Sequence, residues 1–364
     1  MSVLDQQPIA TGRTFPIFRF RGTHRQIGEQ YGEACAGLIR QHRDLALERL
    51  GNRSGVSRAD ALERALGYRP YVLRYGAFFD DEIQGVAAGA GISLAEAYLL
   101  QLRAELAIPA EPADECTTFA VLPEAAAGGI GLIGQNADLP AFYRDISIVA
   151  EITADDAPAI LMLLPAGQVS YIGINDRGMG VFANFLTCDG WRMGLPRYFY
   201  SRLALTHERV DAAIDLLRSV RRASSRNMIM LDAHGVAADL ETTPTADARL
   251  DPVDGLLAHA NHYVAETLLS EERSPASYVA NSTVRLNRMH ELLREHRGAL
   301  DVAVLQSILR DRACHPDNLC RMPGDLESDV ITFASVIAAP SEQRMWVAVG
   351  PPNEHEYQEL RFSA

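Results

Sequence analysis

The chain has little of what marks secreted, membrane-spanning or nucleic-acid-binding proteins. Its 364 residues include five cysteines, Cys35, Cys116, Cys188, Cys314 and Cys320. That odd, scattered set gives no disulfide framework. No uninterrupted apolar stretch approaches the roughly 20 residues of a membrane span. The opening Met1-Ser2-Val3-Leu4-Asp5-Gln6-Gln7 lacks the positive flank and apolar core of a signal peptide. These absences predict a reduced, cytoplasmic protein with no membrane partner. Basic charge is short as well, with 34 Lys and Arg against 47 Asp and Glu and a net charge of -13. A nucleic-acid or anionic-surface partner needs concentrated cations, so neither is expected. The cluster Arg218, Arg221, Arg222 and Arg226 reads as a solvated helix end, with phosphate binding as its alternative use. Cys314-x5-Cys320, with His315 between, lacks the tight ligand pairs of zinc sites, so no metal and no cofactor are expected. There is no internal repeat, and no low-complexity tract beyond the short loop 124–129.

What is present is ordinary globular material, 48% hydrophobic and 22% charged. The length exceeds that of a usual single core and predicts one large layered domain plus an appended helical segment. The first ~110 residues read as helical. Thr23 with Gln26 makes a capping-box start for a helix over 23–50, and Ser93 with Glu96 repeats the signature. A shorter helical stretch between them breaks around Gly67 and Pro70. After Cys116 the period changes to that of short strands, at 117–122, 130–136, 146–152, 159–164, 170–174 and 179–184. Helices at 198–206 and 210–221 follow, then strands at 228–232, 236–240 and 256–261. Helices at 281–297 and 302–310 precede a closing hairpin of 332–338 with 345–349. Strands, helices and strands again give an α+β fold, two packed sheets with helices outside.

The most informative position is the junction between these halves. Ile108-Pro109-Ala110-Glu111-Pro112-Ala113-Asp114-Glu115 cannot continue a helix, because its two prolines keep the backbone extended. The run Thr117-Thr118-Phe119-Ala120-Val121-Leu122 is β-branched and apolar, as a half-buried strand requires. Cys116 stands between them. Cut before it, the chain would present a thiol beside its own α-amine, and the two titrate close together, near ~8.5 and ~8. Uncut, the same cysteine reads as a small core residue.

Reading outward from Glu115-Cys116-Thr117-Thr118, the segment Gly131-Leu132-Ile133-Gly134-Gln135-Asn136-Ala137-Asp138 resembles the glycine-glutamine-asparagine-x-aspartate element of the acyl-coenzyme A:6-aminopenicillanate acyltransferase family. Similar elements follow in the family's order: Gly173-Ile174-Asn175-Asp176-Arg177-Gly178-Met179-Gly180, Asn184, Ala260-Asn261-His262-Tyr263, Leu319-Cys320-Arg321 and Gly350-Pro351-Pro352. The opening Gly22-Thr23-His24-Arg25-Gln26-Ile27-Gly28 is also similar to the start of family members. The resemblance implies an autoprocessed cysteine N-terminal-nucleophile (Ntn) hydrolase with a four-layer αββα sandwich. It implies cleavage between Glu115 and Cys116, giving a helical α chain of residues 1–115 and a sandwich-bearing β chain of 116–364, held together non-covalently. Cys116 would be the nucleophile in processing and in turnover, and Asp138 would hold its ammonium. Asn261 would be the oxyanion donor, Asn184 a second active-site asparagine, and Arg321 a fixed cation favouring thiolate. On the bare residues, Asn136 and Asp138 read instead as an Asx turn, and Arg321 as a surface ion pair.

The activity so implied is cleavage or transfer of the acyl group of a small N-acylated amine or amino acid, with acyl-coenzyme A as a further candidate donor. Two departures qualify the family pattern. Gln135 stands where some relatives carry arginine, and Glu115 stands where the better-known members carry glycine. A glutamate resists strained conformers, and its carboxylate raises a neighbouring thiol pKa, which predicts slow or conditional cleavage. An uncleaved, non-catalytic relative that binds a small acylated ligand is therefore one alternative. A papain-like thiol protease using His259 or His262 is another. Tyr143, Tyr171, Phe185 and Trp191 can line an acyl pocket or serve as core.

Overall fold

A computed structural model describes residues 12–106, 115–326 and 328–363, so the proline-rich approach to Cys116 and the first residues lie outside the described part. The first strand, β1 (Ile17–Gly22), leads into α1 (His24–Ala34), which begins with the expected capping box between Thr23 and Gln26. Cys35 leaves helical geometry at φ -111°, so the helix expected over 23–50 is two, α1 and α2 (Ala36–Ser54). Next come α3 (Arg58–Gly67) and α4 (Arg69–Ala90). Pro70 sits in the first turn of α4, where its missing N–H costs no hydrogen bond. α1 and α4 meet backbone to backbone: a Cβ on Gly28 would stand 2.1 Å from the Glu82 carbonyl oxygen, and one on Gly85 2.5 Å from that of Arg25. The second capping box starts the short α5 (Leu94–Leu99).

The remaining elements are β2 (Glu115–Val121), β3 (Leu132–Pro140), α6 (Tyr143–Ile146), β4 (Ser147–Ala154), β5 (Ile160–Pro165), β6 (Ile172–Asn175) and β7 (Gly180–Asn184). They continue through α7 (Tyr198–Ala204), α8 (Val210–Ser219), β8 (Arg226–Leu231), β9 (Ala237–Thr242), β10 (Asp247–Leu250) and β11 (Leu256–His259). α9 (Ala276–Glu295), α10 (Val302–Leu309), β12 (Val330–Ala339), β13 (Arg344–Val349) and β14 (Gln358–Arg361) complete them. An eight-stranded sheet runs β1-β4-β5-β6-β7-β8-β9-β10, and a six-stranded sheet β11-β2-β3-β12-β13-β14. Pairing is antiparallel throughout except between β1 and β4. β2 and β3 pack across the interior on β7 and β8, α9 and α10 cover the outside of the six-stranded sheet, and α1, α7 and α8 contact the eight-stranded one. The four-layer αββα sandwich is therefore present. β1, β10 and β14, which the sequence reading passes over, are all sheet edges. Short, partly exposed edge strands carry little of the apolar signal on which strand recognition depends.

β1 also places the N-terminal segment, otherwise helical, inside the sandwich: Ile17 to Gly22 pair in register with Val149 to Ala154. No helix among the described residues is long and apolar enough to cross a membrane.

Candidate active site

Strand alternation decides which way β2 presents its side chains. Cys116 and Ala120 belong to the core between the sheets, and Thr118 Oγ1 donates to Asn184 Oδ1 of β7 at 2.7 Å. Thr117, Phe119 and Val121 face α9 and α10 instead. Cys116 is 4% exposed. It lies in a strand, whereas a papain-type cysteine opens a helix.

The backbone of Cys116 is held on both sides by buried side chains. Its N–H donates to Asn261 Oδ1 at 2.7 Å. Its carbonyl accepts from Arg285 Nη1 at 2.7 Å and from Asn184 Nδ2 at 3.1 Å. The orientation of the Asn261 amide follows from its partners: Oδ1 also accepts from Arg285 Nη2 at 3.0 Å, and Nδ2 donates to the Phe185 carbonyl at 3.1 Å. Arg285, fully buried on α9, further donates to Thr117 Oγ1 at 2.9 Å. One guanidinium thus joins the strand and the asparagine.

Asp138 and Arg321 stand one step away. Asp138 lies opposite Glu115 in the β2–β3 register, within a strand, so the Asx turn does not form. Asp138 Oδ1 accepts from Thr332 Oγ1 at 2.6 Å, while Arg321 Nε is 3.9 Å from Oδ2. Arg321 is fully buried, unlike a surface ion pair, and its Nη2 donates to Asn281 Oδ1 at 2.8 Å. The same oxygen accepts Arg285 Nε at 3.0 Å. Cys116, Asn184, Asn261, Asp138 and Arg321 are therefore joined through Arg285, Asn281 and Thr332, which the sequence reading does not single out. The available signal was the spacing Asn281-x3-Arg285, one helical turn on one face.

A second buried network supports the strand end that carries Asn261. His259 Nδ1 is 2.8 Å from the Ala260 carbonyl and Nε2 is 2.7 Å from Glu241 Oε1. Two acceptors require two ring protons, so His259 is an imidazolium. Burial opposes that charge, but Asp239 and Glu241 outweigh it and push the His259 pKa up to about 9. Burial likewise pushes Asp239 up to about 7. His262 Nδ1 is occupied 2.7 Å from Ser282 Oγ. A histidine pKa raised from 6.5 to about 9 gives stability that is complete below pH 6.5 and lost as pH rises through 9. The shift is worth on the order of 3 kcal/mol. Asp239 acts with the same sign lower down, as pH rises from its ordinary 3.8 through about 7. Melting temperature should therefore fall between pH 6.5 and 9.5, and His259→Gln should be less stable at pH 6 with a flatter fall. An undiminished slope in the variant would remove His259 as its source.

The arginine cluster corrects one expectation. Arg218 and Arg221 are exposed, but Arg222 and Arg226 are only 4% and 3% exposed, so no solvated helix end accommodates all four. Arg222 is spent on the carbonyls of Thr243, Leu217 and Ala246 and on the Asp247 carboxylate. Cys320 is buried and Cys314 half-buried, and no cluster of three or more potential metal ligands occurs among the described residues.

Among solved structures, the chain is similar to a mutant of conjugated bile acid hydrolase from Clostridium perfringens, at 12% identity over 68% of this chain and 97% of that one, with a TM-score of 0.47. It is also similar to penicillin V acylase from Agrobacterium tumefaciens, at 13% identity over 64% of this chain and 83% of that one, with a TM-score of 0.43. A sequence model of the acyl-coenzyme A:6-aminopenicillanic acid acyl-transferase family matches residues 127–354. That match covers more than half of the chain and includes Asp138, Asn184, Asn261, Arg285 and Arg321, and by it the chain belongs to this family of acyl-transfer enzymes.

Proposed function

We propose that the protein is an autoprocessed amide hydrolase or acyltransferase whose nucleophile is Cys116. The observation that carries this reading is the double grip on the Cys116 backbone, N–H by Asn261 and carbonyl by Arg285 and Asn184. Polar side chains this deeply buried are costly unless they serve one another or a function. Here they converge on the residue that would become the new N-terminus.

In processing, the Cys116 thiolate attacks the Glu115 carbonyl. The peptide C–N bond breaks, a thioester forms, and the Cys116 nitrogen leaves as an amine after taking up a proton. Water then cleaves the thioester, giving the Glu115 carboxylate and the free thiol. In turnover the α-amine takes the thiol proton and the thiolate attacks the substrate amide carbonyl. Asn261 Oδ1, already bound to the Cys116 nitrogen, holds the amine in place, and the Nδ2 proton not given to the Phe185 carbonyl serves the developing oxyanion. The substrate amine leaves with the proton, and the thioester is released to water or to a second amine. Hydrolysis and transfer share every step up to that release. Asp138 supports the charge of the Cys116 amine from across the strand pair, and Arg321 beside it is the fixed cation that favours the thiolate.

Denaturing mass spectrometry of the purified protein tests the reading. Two fragments meeting between Glu115 and Cys116 are expected, and all 34 basic residues are arginine, so an amine-selective reagent has no side chain to label. The 116–364 fragment should therefore gain one label at Cys116. A single intact chain without amidase activity would end the proposal in favour of a binding protein. Asn261→Ala should fold, since the asparagine is a hydrogen-bonding rather than a packing residue. Its rate of acyl-enzyme formation should fall about a hundredfold. A burst rate equal to wild type would exclude Asn261 as the oxyanion donor.

A further inference from the structure

The proposed chemistry leaves one buried acid unused. Asp239 on β9 is fully buried, and neither of its carboxyl oxygens receives a donor among the described residues. Asn227 on β8 is fully buried as well, and its Oδ1 is also without a donor there. Open acceptors this deep cost free energy, so their being neighbours carries information. In the β8–β9 register Asn227 lies opposite Glu241 and Ile229 opposite Asp239, so the two share a face one diagonal step apart. Asn227 is the side chain within hydrogen-bonding reach of the Asp239 carboxyl. The other end of its amide leads to the Cys116 site. Asn227 Nδ2 donates to Asn184 Oδ1 at 3.1 Å, Thr118 Oγ1 donates to the same oxygen at 2.7 Å, and Asn184 Nδ2 donates to the Cys116 carbonyl at 3.1 Å.

The surroundings of Asp239 favour its neutral form. His259, from β11, gives Nε2–H to Glu241, which also accepts the backbone N–H groups of Val264 and Ala265, so this imidazolium already has its counter-ion. Leu250, opposite Asp239 on β10, is apolar. Strand alternation turns Ala238 and Leu240 rather than Asp239 toward α8, whose charged residues Asp211, Asp215 and Arg218 are exposed. Burial therefore prevails over the pull of His259 and pushes Asp239 up to about 7.

We propose that Asp239 is a positioning residue for the Cys116 site: as a neutral acid it donates a hydrogen bond to Asn227 Oδ1 and so fixes the row of amides that ends on the Cys116 carbonyl. The bearing of that row on catalysis rests on the reading of Cys116 as the nucleophile. One proton on Asp239 satisfies both the acid and the Asn227 oxygen. Ionised, Asp239 has no proton to give and accepts from Asn227 Nδ2 instead. The amide then turns, and its Oδ1 meets Asn184 Oδ1, two acceptors with no proton between them. Asn184 cannot follow by turning, because Thr118 donates to its Oδ1 and the Cys116 carbonyl takes its Nδ2. The site is thus ordered while Asp239 is neutral and loosens as pH rises through about 7.

The test needs no substrate. Cys116→Ala protein carrying isotope-labelled asparagine gives side-chain amide signals for Asn184 and Asn227 by nuclear magnetic resonance, each identified by its loss in Asn184→Ser or Asn227→Ser. The two should move together between pH 5.5 and 8.5 with a midpoint near pH 7. Asp239→Asn, whose amide can donate to Asn227 Oδ1 at every pH, should hold both at their acid positions. Signals that do not move, or that move equally in Asp239→Asn, would overturn the proposal. Should Asp239→Asn fail to fold, the step at Asn184 should vanish in Asn227→Ser, and its persistence there would refute the relay. The cleavage rate of freshly translated chain with Cys116 intact reads the effect on reaction. Wild type should match Asp239→Asn at pH 5.5 and be about tenfold slower at pH 8, where a group titrating at about 7 is neutral in about one molecule in ten. Equal cleavage profiles would refute the positioning role even where the signals move. Chains that never cleave would sink the Cys116 reading and leave the amide signals to decide the relay, whereas cleavage with motionless signals would sink the relay and spare Cys116.

Discussion

Cys116→Ala should yield a single unbroken chain with no amidase or transferase activity. Replacing sulfur by hydrogen removes the atom that attacks in processing and the atom that carries the acyl group. No neighbouring group substitutes for it: Asn184 and Asn261 are amides, and Arg285 is a cation that cannot give up its proton. The variant should fold, because Cys116 is a small residue in a strand whose ladder to β3 is made by backbone. Loss of both reactions is complete rather than partial, which makes this the largest effect expected. Cys116→Ser sharpens the test, since a hydroxyl is a far weaker nucleophile than a thiolate and should cleave slowly. Mass spectrometry over days, beside an amide turnover assay, reads both. Wild-type turnover in the alanine variant would end the assignment.

Arg285→Met should cost about 3–5 kcal/mol of stability, as removal of one partner from a buried charged network does. It should also slow processing by at least about a hundredfold, through loss of the geometry on which reaction depends. Four acceptors lose a donor at once: the Cys116 carbonyl, Thr117 Oγ1, Asn261 Oδ1 and Asn281 Oδ1. Methionine fills much of the volume, so the effect is electrostatic rather than a cavity. Arg285→Lys is not a conservative control, because one ammonium cannot span acceptors that three guanidinium nitrogens reach. Urea denaturation measures the first effect and a cleavage time course the second. A variant of wild-type stability that cleaves at the wild-type rate would show that the guanidinium does not position Cys116.

The layered architecture and the main strands around the site were legible because they depend on local pattern. Cys116 follows a proline-rich stretch of sequence, and Asn184 and Asn261 stand at or just beyond the ends of apolar runs. Arg285 was not legible. An arginine between Val284 and Leu286 on a helix with Arg288 and Arg294 reads as one more solvated cation, and only the packing of α9 on β2 and β11 turns it inward. Arg226 failed for the same reason, since a run of arginines gives no sign of which member is buried. The break at Cys35 and the parallel pairing of β1 with β4, about 130 residues away in the chain, are tertiary facts that no short window contains.

The placement of β1 has a consequence for assembly. Residues before Cys116 supply an edge strand of the eight-stranded sheet and a helix pair whose backbones touch, so they are part of the sandwich rather than a leader laid against it. While the chain is continuous, these parts find each other at the high effective concentration of a tethered pair. A cut before Cys116 abolishes the tether without disturbing the product. The cut protein would keep its shape but lose the means of regaining it: once unfolded, it must reassemble by collision, at a rate that depends on dilution, where the uncut chain refolds independently of concentration.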